Sequence, residues 1–122
     1  MKSTQLTLVL GASENPDRYA YKAISRLVEH GIPVLAVGRK AGIVAGVPIT
    51  TEIPAGAKPD TVTLYLNPAN QAIWMDKILA LKPRRILFNP GTENPDFVRK
   101  ARQAGIQTEE ACTLVLLSTG TF

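Results

Sequence analysis

With 122 residues, the chain is long enough for one full core and too short for a second, so a single domain over residues 1–122 is expected. Hydrophobic residues make up 45% and charged residues 20% of it, the make-up of an ordinary globule, which argues against disorder and against a membrane span. Fourteen Lys and Arg against ten Asp and Glu give a net charge of +4. These cations are spread without a basic run, which suits a phosphorylated small ligand at least as well as nucleic acid. The few aromatic residues do not interleave as a stacking platform, so no nucleic-acid partner is expected. A single cysteine, Cys112, excludes an internal disulfide and a CxxC metal site, and the single His30 excludes a histidine-rich metal cluster.

In chain order, the first five residues followed by Leu6 to Leu10 faintly mimic a signal peptide. The apolar core is too short for that, and a strand over Gln5 to Leu10 accounts for the same residues better, so a cytoplasmic protein is expected. Gly11-Ala12-Ser13 then forms a turn into a helix from about Asp17 to His30. Ala20, Ile24, Leu27 and Val28 would form its apolar stripe, and Gly31 ends it. Pro33 to Val37 is a continuous apolar run, as expected of a strand covered on both faces. The segment from Gly38 to Lys58 is rich in turn formers, and only Val47 to Thr50 reads as extended. A strand over Thr61 to Leu66 follows. Ala69 to Leu81 reads as a helix with Ala72, Met75, Ile78 and Leu79 toward the sheet, ended by Lys82-Pro83. Arg85 to Phe88 is a strand, and Asn94-Pro95-Asp96 opens a helix buried through Phe97, Val98, Ala101 and Ala104. Ile106 to Glu109 is a fifth strand, and Cys112 to Leu117 reads as helical. This alternation predicts an α/β, three-layer, Rossmann-like doubly wound parallel sheet of about five strands.

In such a sheet the ligand sits at the carboxyl ends of the strands, where strand order reverses. The turns expected there are Gly11-Ala12-Ser13, Gly38-Arg39-Lys40, Asn67-Pro68 and Asn89-Pro90-Gly91-Thr92. The first is neither G-x-G-x-x-G nor a P-loop, yet its small residues before a helix N-terminus favour a phosphate. Ser13 and Asn15 either bond that phosphate or cap the helix. Arg18 in the first turn would oppose the helix dipole, a cost relieved by a bound anion. Tyr21 packs under the turn or touches the ligand. No acid stands where an NAD site places one for the ribose hydroxyls; Arg39 and Lys40 stand there instead. Two cations favour a phosphorylated ribose, which means NADP or coenzyme A. The chain leaves no room for a substrate domain, which disfavours a reductase.

At these residues the sequence resembles the small stand-alone CoA-binding proteins, whose fold is like the N-terminal nucleotide-binding domain of the succinyl-CoA ligase alpha subunit. The resemblance rests on Gly11-Ala12-Ser13 with Asn15-Pro16, Arg18 and Tyr21. It continues through His30-Gly31, Val34, Gly46, Ile53-Pro54, Gly91, Ala101, Ala104-Gly105 and Cys112. That family usually reads Asn-Pro-Lys where Gly38-Arg39-Lys40 stands, so a cation is kept at Lys40. It often carries Trp and Gln near Phe88-Asn89-Pro90. The ligase's phosphohistidine lies in a later domain, so ligase chemistry does not carry over. The resemblance implies a module that holds coenzyme A or an acyl-CoA as a small-molecule nucleotide ligand. Gly11 to Asn15 would take the diphosphate, Arg39 and Lys40 the ribose phosphate, and Asn67 to Ala69 with Asn89 to Thr92 the adenine or pantetheine path. The alternatives are an NADP-dependent reductase, a subunit of an acyl-CoA ligase working with a separate chain, and an interaction protein that has lost the ligand. A homodimer stays open as well.

Overall fold

A computed structural model describes residues 5–122; residues 1–4, which belong to the signal-like reading, lie outside the described part. The elements are β1 (Thr7–Ala12), α1 (Tyr19–Glu29), β2 (Val34–Gly38), β3 (Gly42–Val44), β4 (Val47–Thr50), β5 (Thr61–Leu64), α2 (Pro68–Leu81), β6 (Arg85–Phe88), α3 (Pro95–Gln103), β7 (Gln107–Glu110) and α4 (Thr113–Ser118). The sheet order is β3-β4-β2-β1-β5-β6-β7, parallel throughout except for the β3–β4 hairpin. Strand order therefore reverses between β1 and β5.

Seven strands replace the expected five. The two additional ones come from the Gly38–Lys58 segment, where β3 and β4 fold back through Ala45 and Gly46, both at positive φ (52° and 83°). Such a two-residue turn matches the twist of the flanking strands. An alanine in the first left-handed position, where Asn or Asp is usual, hid the turn.

Alternate strand residues separate two cores, as a period of two requires. Leu8, Leu10, Val62, Leu64, Ile86 and Phe88 meet α2 and α3 through Met75, Ile78, Phe97 and Ala101. Phe88 and Phe97 pack edge to face, with ring centres 5.5 Å apart. On the other face Val9, Ala36 and Ile49 meet Ala20, Ile24 and Leu27 of α1 and Leu117 of α4. The expected stripe of α1 shifts by one member: Ala23 is buried and Val28 is exposed. On α2, Ala72 points outward and Gln71 takes the sheet-facing place beside Met75 and Ile78. Trp74 is half-buried against the core. On α3, Ala104 lies beyond the last turn and is exposed.

The amino ends of the strands are held by Asp60. Its carboxylate accepts two bonds from Arg84, Nε at 3.0 Å and Nη2 at 2.9 Å, and its carbonyl accepts from the Arg84 amide. The Arg84 guanidinium holds the Asp60 carboxyl below its ordinary range. A carboxyl with a depressed folded pKa stabilises the fold above the unfolded value, and that contribution is lost as pH falls through the folded one. Arg84→Ala is therefore expected to lower the melting temperature at neutral pH by a margin that closes as pH drops below the ordinary carboxylate range. A melting series in pH checks this, and a constant margin would contradict it.

Candidate functional site

The site begins where β1 ends. Gly11 has φ of 97°, and a Cβ there would lie 3.0 Å from the Tyr65 carbonyl group, so only glycine lets β1 run this close to the end of β5. The register between β1 and β2 then slips, Leu10 pairing with Val37 and Ala12 with Gly38. Gly38 accommodates the slip, because a Cβ there would sit 2.2 Å from the Ala12 carbonyl oxygen. Gly38 is thus buried support beneath the site and does not line it.

The turn that follows is held by its own side chains. Ser13 Oγ accepts from the Asn15 amide (3.0 Å), Asn15 Oδ1 accepts from the Asp17 amide (2.9 Å), and the Asn15 carbonyl accepts from the Arg18 amide (3.0 Å). Ser13 and Asn15 therefore shape the approach and do not cap α1. The N-cap position falls to Arg18, whose side chain has no acceptor, and the first turn contains no acid. The first N–H groups of a helix have no acceptor within it, so α1 presents them with nothing from its cap to satisfy them. The other two long helices differ. Asn67 Oδ1 accepts from Asn70 in α2, and Asn94 Oδ1 accepts from Phe97 in α3.

Around this N-terminus lies a cleft of about 1170 Å³ at the carboxyl ends of β1, β2, β5 and β6. Of the site residues expected from sequence, Gly11, Ala12, Ser13, Asn15, Arg18, Arg39, Lys40, Asn67, Gly91 and Thr92 line it. Tyr21, Gly38, Pro68 and Asn89 do not. Tyr21 packs on the core beneath α1, and Pro68 occupies the first turn of α2. Asn89 is buried, donating to Thr63 Oγ1 (2.6 Å) and the Leu64 carbonyl (2.9 Å) and accepting from the Thr113 amide (2.8 Å). It anchors the start of α4 to the sheet.

Sequence reasoning placed Glu14 and Tyr19 near the strand ends without giving either a role, and it missed Tyr65 and Gln71. Tyr19 is 66% exposed at the mouth of the cleft. Tyr65 forms part of the wall, and burial pushes its phenol up to about 12, so it stays protonated at neutral pH. Gln71 is fully buried under the cleft; its Nε2 donates to the Leu66 and Thr92 carbonyls (both 2.8 Å), and its Oε1 accepts from Asn94 Nδ2 (3.0 Å). One side chain thus ties the β5–α2 turn to the β6–α3 turn. Its place in register with Met75 and Ile78 was the available signal, since a polar residue on a buried stripe usually has fixed partners.

A second, shallower depression of about 780 Å³ runs between α3 and β7, lined by Val98, Arg99, Arg102 and Thr108 among others. It lies at the sheet edge, away from the reversal of strand order. Among the described residues no group of His, Cys, Asp and Glu is arranged to hold a metal, and no helix is long and apolar enough to cross a membrane.

The fold and its cleft together define a Rossmann-like α/β architecture, with an uncapped helix N-terminus at the switch point of the sheet. The chain belongs to the CoA binding domain family, which it matches over residues 5–118. Among solved structures, that of an uncharacterized protein is 48% identical and superposes with a TM-score of 0.94, over 99% of this chain and 100% of that one. A Thermus thermophilus protein is 24% identical at a TM-score of 0.85, covering 97% and 90% of the two chains. A hypothetical protein from Pyrococcus horikoshii OT3 is 23% identical at 0.84, covering 93% and 81%. The last two likenesses establish the fold alone. No curated protein matches the sequence.

Proposed function

We propose that the protein binds coenzyme A or an acyl-CoA in this cleft, as a binding module without a reaction of its own. The observation that carries the proposal is the uncapped N-terminus of α1 opening into a cleft that also holds Arg39 and Lys40. The diphosphate would take the free N–H groups of the first turn of α1 and the Ser13–Asn15 turn, with Arg18 beside it. Arg39 and Lys40 would take the ribose phosphate. Asn67, Gly91 and Thr92 would line the path of the pantetheine arm or the adenine. The donor set suits CoA, because two separate anionic groups meet two separate cationic or N–H-rich places. Any acyl transfer would then fall to a second chain, which this module would supply with its ligand.

A thermal-shift titration with CoA, acetyl-CoA, NADPH, NADH and ATP tests the proposal. A ligand that binds only the folded state raises the melting temperature by an amount set by its concentration relative to its dissociation constant. CoA and acetyl-CoA are expected to raise it and NADH to leave it unchanged. A shift with NADPH alone would favour the reductase, and no shift with any of them would leave an interaction protein.

A further inference from the structure

Two acidic residues, Glu14 and Asp17, line this anion-favouring cleft, and Glu14 reaches across it to another strand. Glu14 follows the Gly11–Ser13 turn, and its Oε2 accepts a hydrogen bond from the Ile43 amide at 2.8 Å. Ile43 lies in β3, twenty-nine residues further along the chain and two residues beyond Ala41 of the Arg39-Lys40-Ala41 segment. The neighbouring Gly42 is shaped around the contact: a Cβ there would lie 2.4 Å from the Glu14 carboxyl carbon and 2.7 Å from Oε2. Glu14 thus bridges the β1–α1 turn to the start of β3, across the segment that carries the two cations.

That segment has little else to fix it. Arg39, Lys40 and Ala41 are all exposed, and β3 lies at the sheet edge, paired only with β4. Cations on a loose loop would lose side-chain and backbone freedom on gripping a phosphate, which erodes affinity; a loop held in place beforehand loses less. A negative charge beside a phosphate site is otherwise unfavourable, and this one is directed at a backbone N–H.

We propose that Glu14 is a positioning residue that fixes the Arg39–Lys40 segment at a set distance from the diphosphate turn, and so makes the site selective for a CoA ligand that carries the ribose phosphate. This rests on the CoA reading of the cleft. Glu14 sets the ratio of affinities for CoA and dephospho-CoA without touching the ribose phosphate itself.

The test is calorimetric titration of wild type, Glu14→Ala, Glu14→Gln and Gly42→Ala with CoA and with dephospho-CoA, alongside amide exchange at Ile43. Wild type is expected to prefer CoA. Glu14→Ala should reduce that preference about threefold or more and speed exchange at Ile43, as removal of one charge-assisted bond implies. Glu14→Gln keeps an acceptor oxygen and should retain the preference. Gly42→Ala pushes the carboxylate aside and should mimic Glu14→Ala, while adding little in the Glu14→Ala background. An unchanged preference or unchanged Ile43 exchange in Glu14→Ala overturns the role given to Glu14 and leaves the CoA reading intact. A wild type that binds both ligands equally overturns the assignment of Arg39 and Lys40, and the inference with it.

Discussion

Replacing Arg39 and Lys40 together with alanine is expected to weaken CoA binding about a hundredfold and dephospho-CoA binding less than about threefold. Charge-assisted hydrogen bonds contribute roughly 1.5 kcal/mol or more each, and two of them to one phosphate account for a loss of that size. Both residues are exposed and line the cleft, so the melting temperature of the free protein should hardly move. Exposure also means screening: the CoA preference of wild type should shrink as salt rises past about 0.1 M, where the Debye length falls to roughly 10 Å. Titration calorimetry at two salt concentrations reads both effects. Equal losses for CoA and dephospho-CoA would place the ribose phosphate elsewhere.

Asn89→Ala carries the second large effect, and it falls on stability. Asn89 is 2% exposed and its side chain makes three hydrogen bonds, to Thr63, Leu64 and the Thr113 amide. Alanine leaves the Thr113 N–H without its acceptor in a buried place and opens a small void beside it. An unsatisfied buried donor costs about 1–3 kcal/mol, so a total near 3 kcal/mol and a melting temperature lower by roughly 10 °C are expected. The folded variant should bind CoA with nearly the affinity of wild type, because Asn89 does not line the cleft. A stable variant that had lost CoA affinity would return Asn89 to the site.

The sheet-and-helix order was legible because the apolar strands β1, β5 and β6 are each followed by a helix that stops at a glycine or proline. Asn67 and Asn94 announce α2 and α3 in the same way, each standing immediately before a proline and capping its helix. The β3–β4 hairpin was half-hidden, since Ala45 adopts φ of 52° without the residue type that advertises it. Ser13 and Asn15 have the chemistry of helix caps, and sequence alone leaves their partners open. In the structure Ser13 accepts from the Asn15 amide and Asn15 from the Asp17 amide, before the helix starts. Arg18 is left as the N-cap, and the first turn of α1 stays open. Long-range contacts were beyond any local pattern. Glu14 reaching Ile43 and Gln71 joining two turns depend on which strand ends become neighbours, and that follows from the sheet order alone. Asn89 was placed correctly at a strand end, but whether its side chain turns into the cleft or toward α4 is decided by packing against a helix that begins twenty-four residues further along the chain.

The most direct measurement is a crystal structure of the protein with coenzyme A. The account predicts the diphosphate at the first turn of α1, between Ser13 and Arg18, and the ribose phosphate within hydrogen-bonding distance of Arg39 or Lys40. CoA seated in the depression between α3 and β7, or bound in the cleft with its ribose phosphate turned away from both cations, would contradict it.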